Sequence, residues 1–241
     1  MKADLPVLTA SLPDVWQGRR LHRQIPALAS GHAALDSVLP GGGWPLGAAT
    51  EILTGSSGAG EFSLLFPAMA QVTSRAQWVI MVDPPWIPYA PAMRGHGIDL
   101  QQLLVVRSDN RRESDWACEQ VLRGVRGGMV LAWQDSPRFS GLRRLQLAAR
   151  SGHKPAFLFR PPEAAAEASP ATLRLRLTAD PTGTRVTLLK CRGRRPGESV
   201  LLRRSPGLPG MSALPVAPVE AAVPAAQPVP PRAPQIERQV H

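Results

Sequence analysis

Between residues 30 and 160, apolar side chains come in short runs of four or five, separated by longer stretches where they recur every three or four positions. The runs at 50–53, 78–82, 103–106, 129–133 and 156–159 have the length and branched-residue content of buried strands. The stretches at 61–73, 114–125 and 137–150 have helical spacing. In the middle one, Cys118, Val121, Leu122 and Val125 follow the i, i+3, i+4, i+7 rule, which makes Cys118 a core residue rather than a reactive thiol. Strands alternating with helices predict crossover connections and an α/β fold, a mostly parallel sheet flanked by helices. No internal repeat is present.

The pattern changes after residue 172. Leu173, Leu175 and Leu177 alternate with Arg174 and Arg176, the period-two signature of a strand with one apolar and one cationic face. Asp180-Pro-Thr-Gly183 signals a turn, the extended pattern resumes over 185–191, and Arg192-Gly-Arg-Arg-Pro-Gly197 is a second turn with its charges at the tip, so a basic β-hairpin is predicted over 173–204. From 205 to 241, nine prolines and many alanines leave no apolar period, and a disordered Pro/Ala-rich tail is expected. The chain thus divides into an N-terminal arm at 1–24, a core with the basic hairpin at 25–204, and the tail.

Charge sharpens this picture. The 28 Lys and Arg against 18 Asp and Glu give a net charge of +10, which favours nucleic acid, an anionic membrane or an acidic protein without choosing among them. Residues 174–204 alone carry nine basic side chains against Asp180 and Glu198, a surplus of seven. Lys190, Arg192, Arg194 and Arg195 are the candidate nucleic-acid or partner-binding residues. Two cysteines without C-x-x-C spacing argue against a disulfide framework, a zinc site or a redox site. The five histidines are dispersed, so no metal site is expected. No apolar stretch approaches membrane-spanning length and the N-terminus lacks a signal-peptide core, so a cytoplasmic protein with no membrane contact is expected. Trp78 and Trp133 fall in predicted strands and are expected in the core; Trp16, Trp44 and Trp86 fall in predicted loops and are candidates for a partner surface.

The richest stretch is Thr50-Glu-Ile-Leu-Thr-Gly55-Ser56-Ser57-Gly58-Ala-Gly60-Glu61-Phe62. A strand runs through a glycine-rich turn into a helix, the context in which backbone N–H groups curl around a phosphate. Gly55 and Gly60 satisfy G-x-x-x-x-G, but Glu61 and Phe62 stand where a working loop has Lys and Ser or Thr. A unit-charge pair about 4 Å apart is worth roughly 4 kcal/mol at an effective dielectric of 20, and reversing one sign costs about twice that. Phe62 also removes the hydroxyl that would hold a magnesium ion. Ser56 and Ser57 miss the spacing of a nucleophile elbow.

Together with Ser30-Gly-His-Ala-Ala-Leu35-Asp36-Ser-Val-Leu39, the glycine cluster at 41–43, Val82-Asp83 and Gly97-Ile98-Asp99, this loop resembles the RecA ATPase core over roughly residues 25–160. The degenerate loop, Val15-Trp16-Gln17-Gly18-Arg19-Arg20-Leu21 and Leu188-Leu189-Lys190-Cys191-Arg192-Gly193-Arg194 are more narrowly similar to the ImuA family of bacterial mutagenesis cassettes, often grouped with SulA-like sequences. The resemblance implies a RecA-like P-loop core in which Gly55, Ser56, Ser57, Gly58, Gly60, Glu61 and Phe62 form a vestigial phosphate loop. Where the ATPase has a water-activating glutamate, two positions after the strand-end aspartate, this chain has Pro85; where the Walker B carboxylate belongs, it has Trp133, with Asp135 two residues late and better placed as a helix cap.

The resemblance implies a non-catalytic accessory protein of damage-induced, error-prone translesion DNA synthesis with no cofactor and no catalytic or metal residue. Its implied partners are an ImuB-like inactive Y-family polymerase, an error-prone replicative-type polymerase alpha subunit and the RecA filament, with non-specific DNA binding at the basic hairpin. Two alternatives belong to other classes: a SulA-type division inhibitor acting on the division GTPase FtsZ, and an active DNA-dependent ATPase.

Overall fold

The computed structural model describes residues 26–55, 60–124, 128–134, 137–191 and 196–203. The arm at 1–24, the tail at 205–241, Ser56, Ser57, Gly58, Asp135, Arg192, Arg194 and Arg195 lie outside the described residues. A short ribbon of β1 (Ala27–Leu28) and β2 (Trp44–Pro45) flanks helix α1 (Ala33–Asp36) and leads into β3 (Ala48–Thr54). There follow α2 (Glu61–Thr73), β4 (Val79–Val82), α3 (Ala90–Gly95), β5 (Leu103–Val106), α4 (Arg111–Gly124), β6 (Met129–Trp133), α5 (Phe139–Gly152) and β7 (Pro155–Arg160). The chain continues through β8 (Leu173–Asp180), β9 (Gly183–Cys191) and β10 (Ser199–Arg203).

Eight of these strands form one sheet in the order β10-β9-β8-β3-β7-β6-β4-β5. The six from β8 to β5 are mutually parallel, and β9 and β10 extend the sheet antiparallel. The expected α/β fold with a mostly parallel, helix-flanked sheet is therefore present.

The helices lie on both faces because the strands are apolar on both. Val79 and Met81, Met129 and Leu131, and Phe157 and Phe159 join a cluster with Leu64, Leu65 and Met69 of α2. The residues between them, Ile80, Val82, Val130, Ala132, Ala156 and Leu158, pack with Cys118 and Leu122 of α4 and Leu142 and Leu145 of α5. Full burial of each such large side chain contributes about 1.5–3 kcal/mol. Cys118 is a core residue, and burial pushes its thiol up to about 12.

Strands β5 and β6 and helix α2 have the bounds read from the apolar pattern. Helix α4 begins three residues earlier than its apolar face does, because Asn110 caps it: the Glu113 N–H donates to Asn110 Oδ1 at 3.1 Å and Asn110 Nδ2 donates back to Glu113 Oε1 at 2.8 Å. Its other end is closed by buried Lys154, whose Nζ donates to the carbonyls of Val121 at 2.7 Å and Leu122 at 3.1 Å.

Three expectations need correction. Trp44 is not a surface residue: it is fully buried and packs edge-on against Phe157 at 5.1 Å, because β2 folds it beneath the sheet. Trp78 is not a core residue. It precedes the first residue of β4 and is 38% exposed. Arg174 does not belong to a solvated cationic face, since it is buried and its Nε donates to Glu51 Oε2 at 2.7 Å across the β3–β8 pair.

Candidate functional site

Strand β3 lies inside the sheet, parallel to β7 on one side and β8 on the other, and its carboxyl end delivers Gly55 beside Pro162. After the undescribed 56–59 segment, Gly60 returns with φ +99° immediately before α2. Glycine is required there twice over. The left-handed backbone disfavours any side chain, and a Cβ would fall 2.1 Å from Thr184 Oγ1 of β9. Glu61, the first residue of α2, is buried, with only 5% of its surface exposed, and occupies the positive end of the helix dipole.

Phe62 turns from that helix onto the ring of Trp133, at the carboxyl end of β6, with centroids 5.8 Å apart. Trp133 in turn stacks on Phe159 of β7 at 4.6 Å. On its other side Phe62 stacks on Phe66 at 5.9 Å, and Phe66 on His96 at 4.4 Å. Five rings from α2, β6, β7 and the segment after α3 thus form one row across the carboxyl end of the sheet. The phenyl and indole rings of this row contribute dispersion and burial but no ligand for a hard cation.

Next to this row, Asp83 directly follows β4 in a left-handed conformation, φ +51°, rare for a residue with a side chain. Its N–H donates to the Val106 carbonyl at 2.9 Å. Its carboxylate accepts from the Ser108 N–H at 2.7 Å and the Ser108 hydroxyl at 2.6 Å. Burial pushes its pKa up, but the hydroxyls of Ser108 and Ser114, the Ser108 N–H and the Arg107 charge outweigh this and hold it below its ordinary value. Arg107 Nη1 donates to the Pro84 carbonyl, so the β4 and β5 loops are clamped together.

These groups line a cleft of about 480 Å³ with Asn110, Arg111, Trp133 and Gln134. It lies where connections leave adjacent strands for opposite faces of the sheet, the usual location of ligand crevices in open α/β folds. Buried Gln134 donates from Nε2 to Asp115 Oδ1 at 3.0 Å, and its Oε1 has no donor among the described residues. Pro85 is exposed and offers no base. Among the described residues no His, Cys, Asp and Glu cluster could hold a metal ion.

The candidate loop and basic residues are only partly brought together. Gly55, Gly60, Glu61 and Phe62 gather at the mouth of β3, whereas Lys190 is on β9, exposed, with Nζ donating to the Ser169 carbonyl at 2.9 Å. An ion network joining β3, β7 and β8 is not legible in the sequence. Glu51 is fully buried and accepts from Arg174, from Arg160 Nη1 at 3.5 Å and from the Ser169 hydroxyl at 2.6 Å; Arg160 also pairs with Glu167 at 2.7 Å. A lone carboxylate inside the apolar run 48–54 was the available signal, but its partners lie 109 and 123 residues further on. No helix of the described residues is long and apolar enough to cross a membrane.

No family model matches the chain. Protein ImuA of Caulobacter vibrioides, in strain NA1000 / CB15N and in strain ATCC 19089 / CIP 103742 / CB 15, is 27% identical over 212 residues, covering 76% of this chain and 85% of the relative. The similarity spans most of both proteins at a modest identity.

Proposed function

We propose that this chain is a non-catalytic adaptor of damage-induced, error-prone translesion DNA synthesis, acting in the cytoplasm on a RecA-like core whose phosphate cradle no longer works. The similarity to Protein ImuA supports the cellular context. The observation that carries the loss of catalysis is the contact of Phe62 with Trp133. The two positions from which the ATPase resemblance would draw a magnesium-holding hydroxyl and carboxylate are occupied by rings that touch each other. Glu61 adds a carboxylate where the phosphates need a cation, and Pro85 stands in for the base. Each change removes a separate element of phosphoryl-transfer chemistry.

What remains useful is the scaffold. A buried ion network and a sheet covered on both faces order the strands themselves, which suits a protein that works by gripping other macromolecules. The partners proposed are an ImuB-like inactive Y-family polymerase, a replicative-type polymerase alpha subunit and the RecA filament. Lys190, Arg192, Arg194 and Arg195 are proposed to contact DNA phosphates or an acidic partner, with an affinity that falls steeply as salt rises.

Phosphate release from ATP with magnesium and single-stranded DNA tests the loss of catalysis. The expected rate equals the buffer blank. Turnover that disappears on deleting residues 58–60 would overturn the adaptor role in favour of an active ATPase.

A further inference from the structure

The segment from Pro84 to Tyr89 reads Pro-Pro-Trp-Ile-Pro-Tyr and joins β4 to α3. It exposes three large side chains within four residues: Trp86 at 68%, Ile87 at 88% and Tyr89 at 68%. The ligand cleft and the cradle use none of them. Scattered apolar residues on a surface are ordinary, but an aromatic–aliphatic–aromatic group on one short loop is the composition of a binding hot spot.

The loop is also stiff. Pro84, Pro85 and Pro88 fix their own φ angles. Pro84 is buried and its carbonyl accepts the Arg107 guanidinium, Asp83 is pinned by Ser108, and Tyr89 passes directly into α3. Side chains held out on such a platform lose little freedom when a partner closes over them, which is the condition for tight docking. Beside Tyr89, a shallow groove is lined by Ala90, Pro91, Gly95 and Leu100, and the charged side chain on its wall is Arg94.

We propose that Trp86, Ile87 and Tyr89, with the groove under Arg94, form a protein-docking site for a partner segment that offers an apolar pocket bordered by carboxylates. Arg94 supplies the charge complementarity, since the groove has no acidic residue of its own. Protein is favoured over single-stranded nucleic acid. Ile87, the most exposed of the three, has no π-face for a base, three prolines remove backbone donors, and the nearby Arg107 is committed to Pro84. The inference rests on the adaptor role and names the surface through which it is carried out.

The test uses the full chain and the purified ImuB-like polymerase of the same mutagenesis cassette, with binding measured by interferometry. The combined variant Trp86→Ser, Ile87→Ser, Tyr89→Ser, altered only at exposed positions, keeps the wild-type melting temperature and loses at least tenfold in affinity. Arg94→Glu loses at least threefold, and its binding weakens less with added salt than that of wild type. Wild-type affinity in the triple variant overturns the docking site and leaves the adaptor role standing. Loss of binding to an oligo-dT strand with polymerase binding intact, or conversion of a wild-type dimer to monomer in sedimentation, overturns it in favour of nucleic acid or a second copy of the chain. A wild-type protein that binds neither the polymerase nor RecA overturns the adaptor role and the docking site together.

Discussion

The rings of Phe62 and Trp133, 5.8 Å apart, join the first turn of α2 to the carboxyl end of β6. Restoring the polar groups implied by the ATPase resemblance, with Phe62→Thr and Trp133→Asp, removes the middle of the five-ring row. The double variant is expected to lose about 2–4 kcal/mol of stability by urea unfolding, less than for fully buried rings because Trp133 is half-buried. It is expected to release no phosphate from ATP, since Glu61 and Pro85 remain.

Gly60→Ala tests how tightly α2 is held against β9. Both the backbone angle of +99° and the approach of Thr184 Oγ1 oppose a methyl group, so a loss of at least about 1 kcal/mol is expected. Adding Thr184→Ala relieves the crowding but not the backbone angle. The double variant should therefore recover part of the loss, measurable as a coupling energy in a double-mutant cycle.

Glu51→Ala leaves Arg174 and Arg160 buried without their shared carboxylate. Breaking a buried pair in this way costs roughly 3–5 kcal/mol. Glu167→Ala removes an exposed partner of Arg160 and should cost much less. A urea midpoint for Glu51→Ala close to that of Glu167→Ala would contradict the assignment of Glu51 as the centre of the network.

Asp83 sets part of the acid limit of stability. Its folded pKa lies below the ordinary 3.8, so between the two values the unfolded chain binds more protons than the folded one. The stabilisation is complete above the unfolded value and is lost as pH falls through the folded value. Asp83→Asn, which tolerates the left-handed backbone, should flatten the melting-temperature profile below about pH 4 relative to wild type. A parallel acid limb in both proteins would show that this carboxylate is not stabilised by folding.

Part of the sheet was legible because β4, β5 and β6 are uniformly apolar and the helices periodic; α2, β5 and β6 could be bounded from pattern alone. What escaped notice depended on distant partners. Arg174 reads as a surface cation until Glu51 is placed beside it, and Trp44 reads as a loop residue until Phe157 is brought beneath it. Strand β10 was missed because its pattern is half-exposed and gains its meaning only from pairing with β9. At the candidate site, the replacement of the loop cation and hydroxyl by Glu61 and Phe62 was visible in the sequence. That Phe62 and Trp133 would meet was not, since 71 positions separate them.

The five-ring row has a temporal consequence. A bound nucleotide comes and goes, and a protein that cycles with it can let go of a partner each time. In the proposed non-catalytic role, rings built into the chain take the place of that nucleotide and never dissociate, so the scaffold has no internal timer. On the adaptor role proposed above, partner occupancy follows mass action, and the duration of any assembly is governed by how much of the chain is made and how long each copy survives.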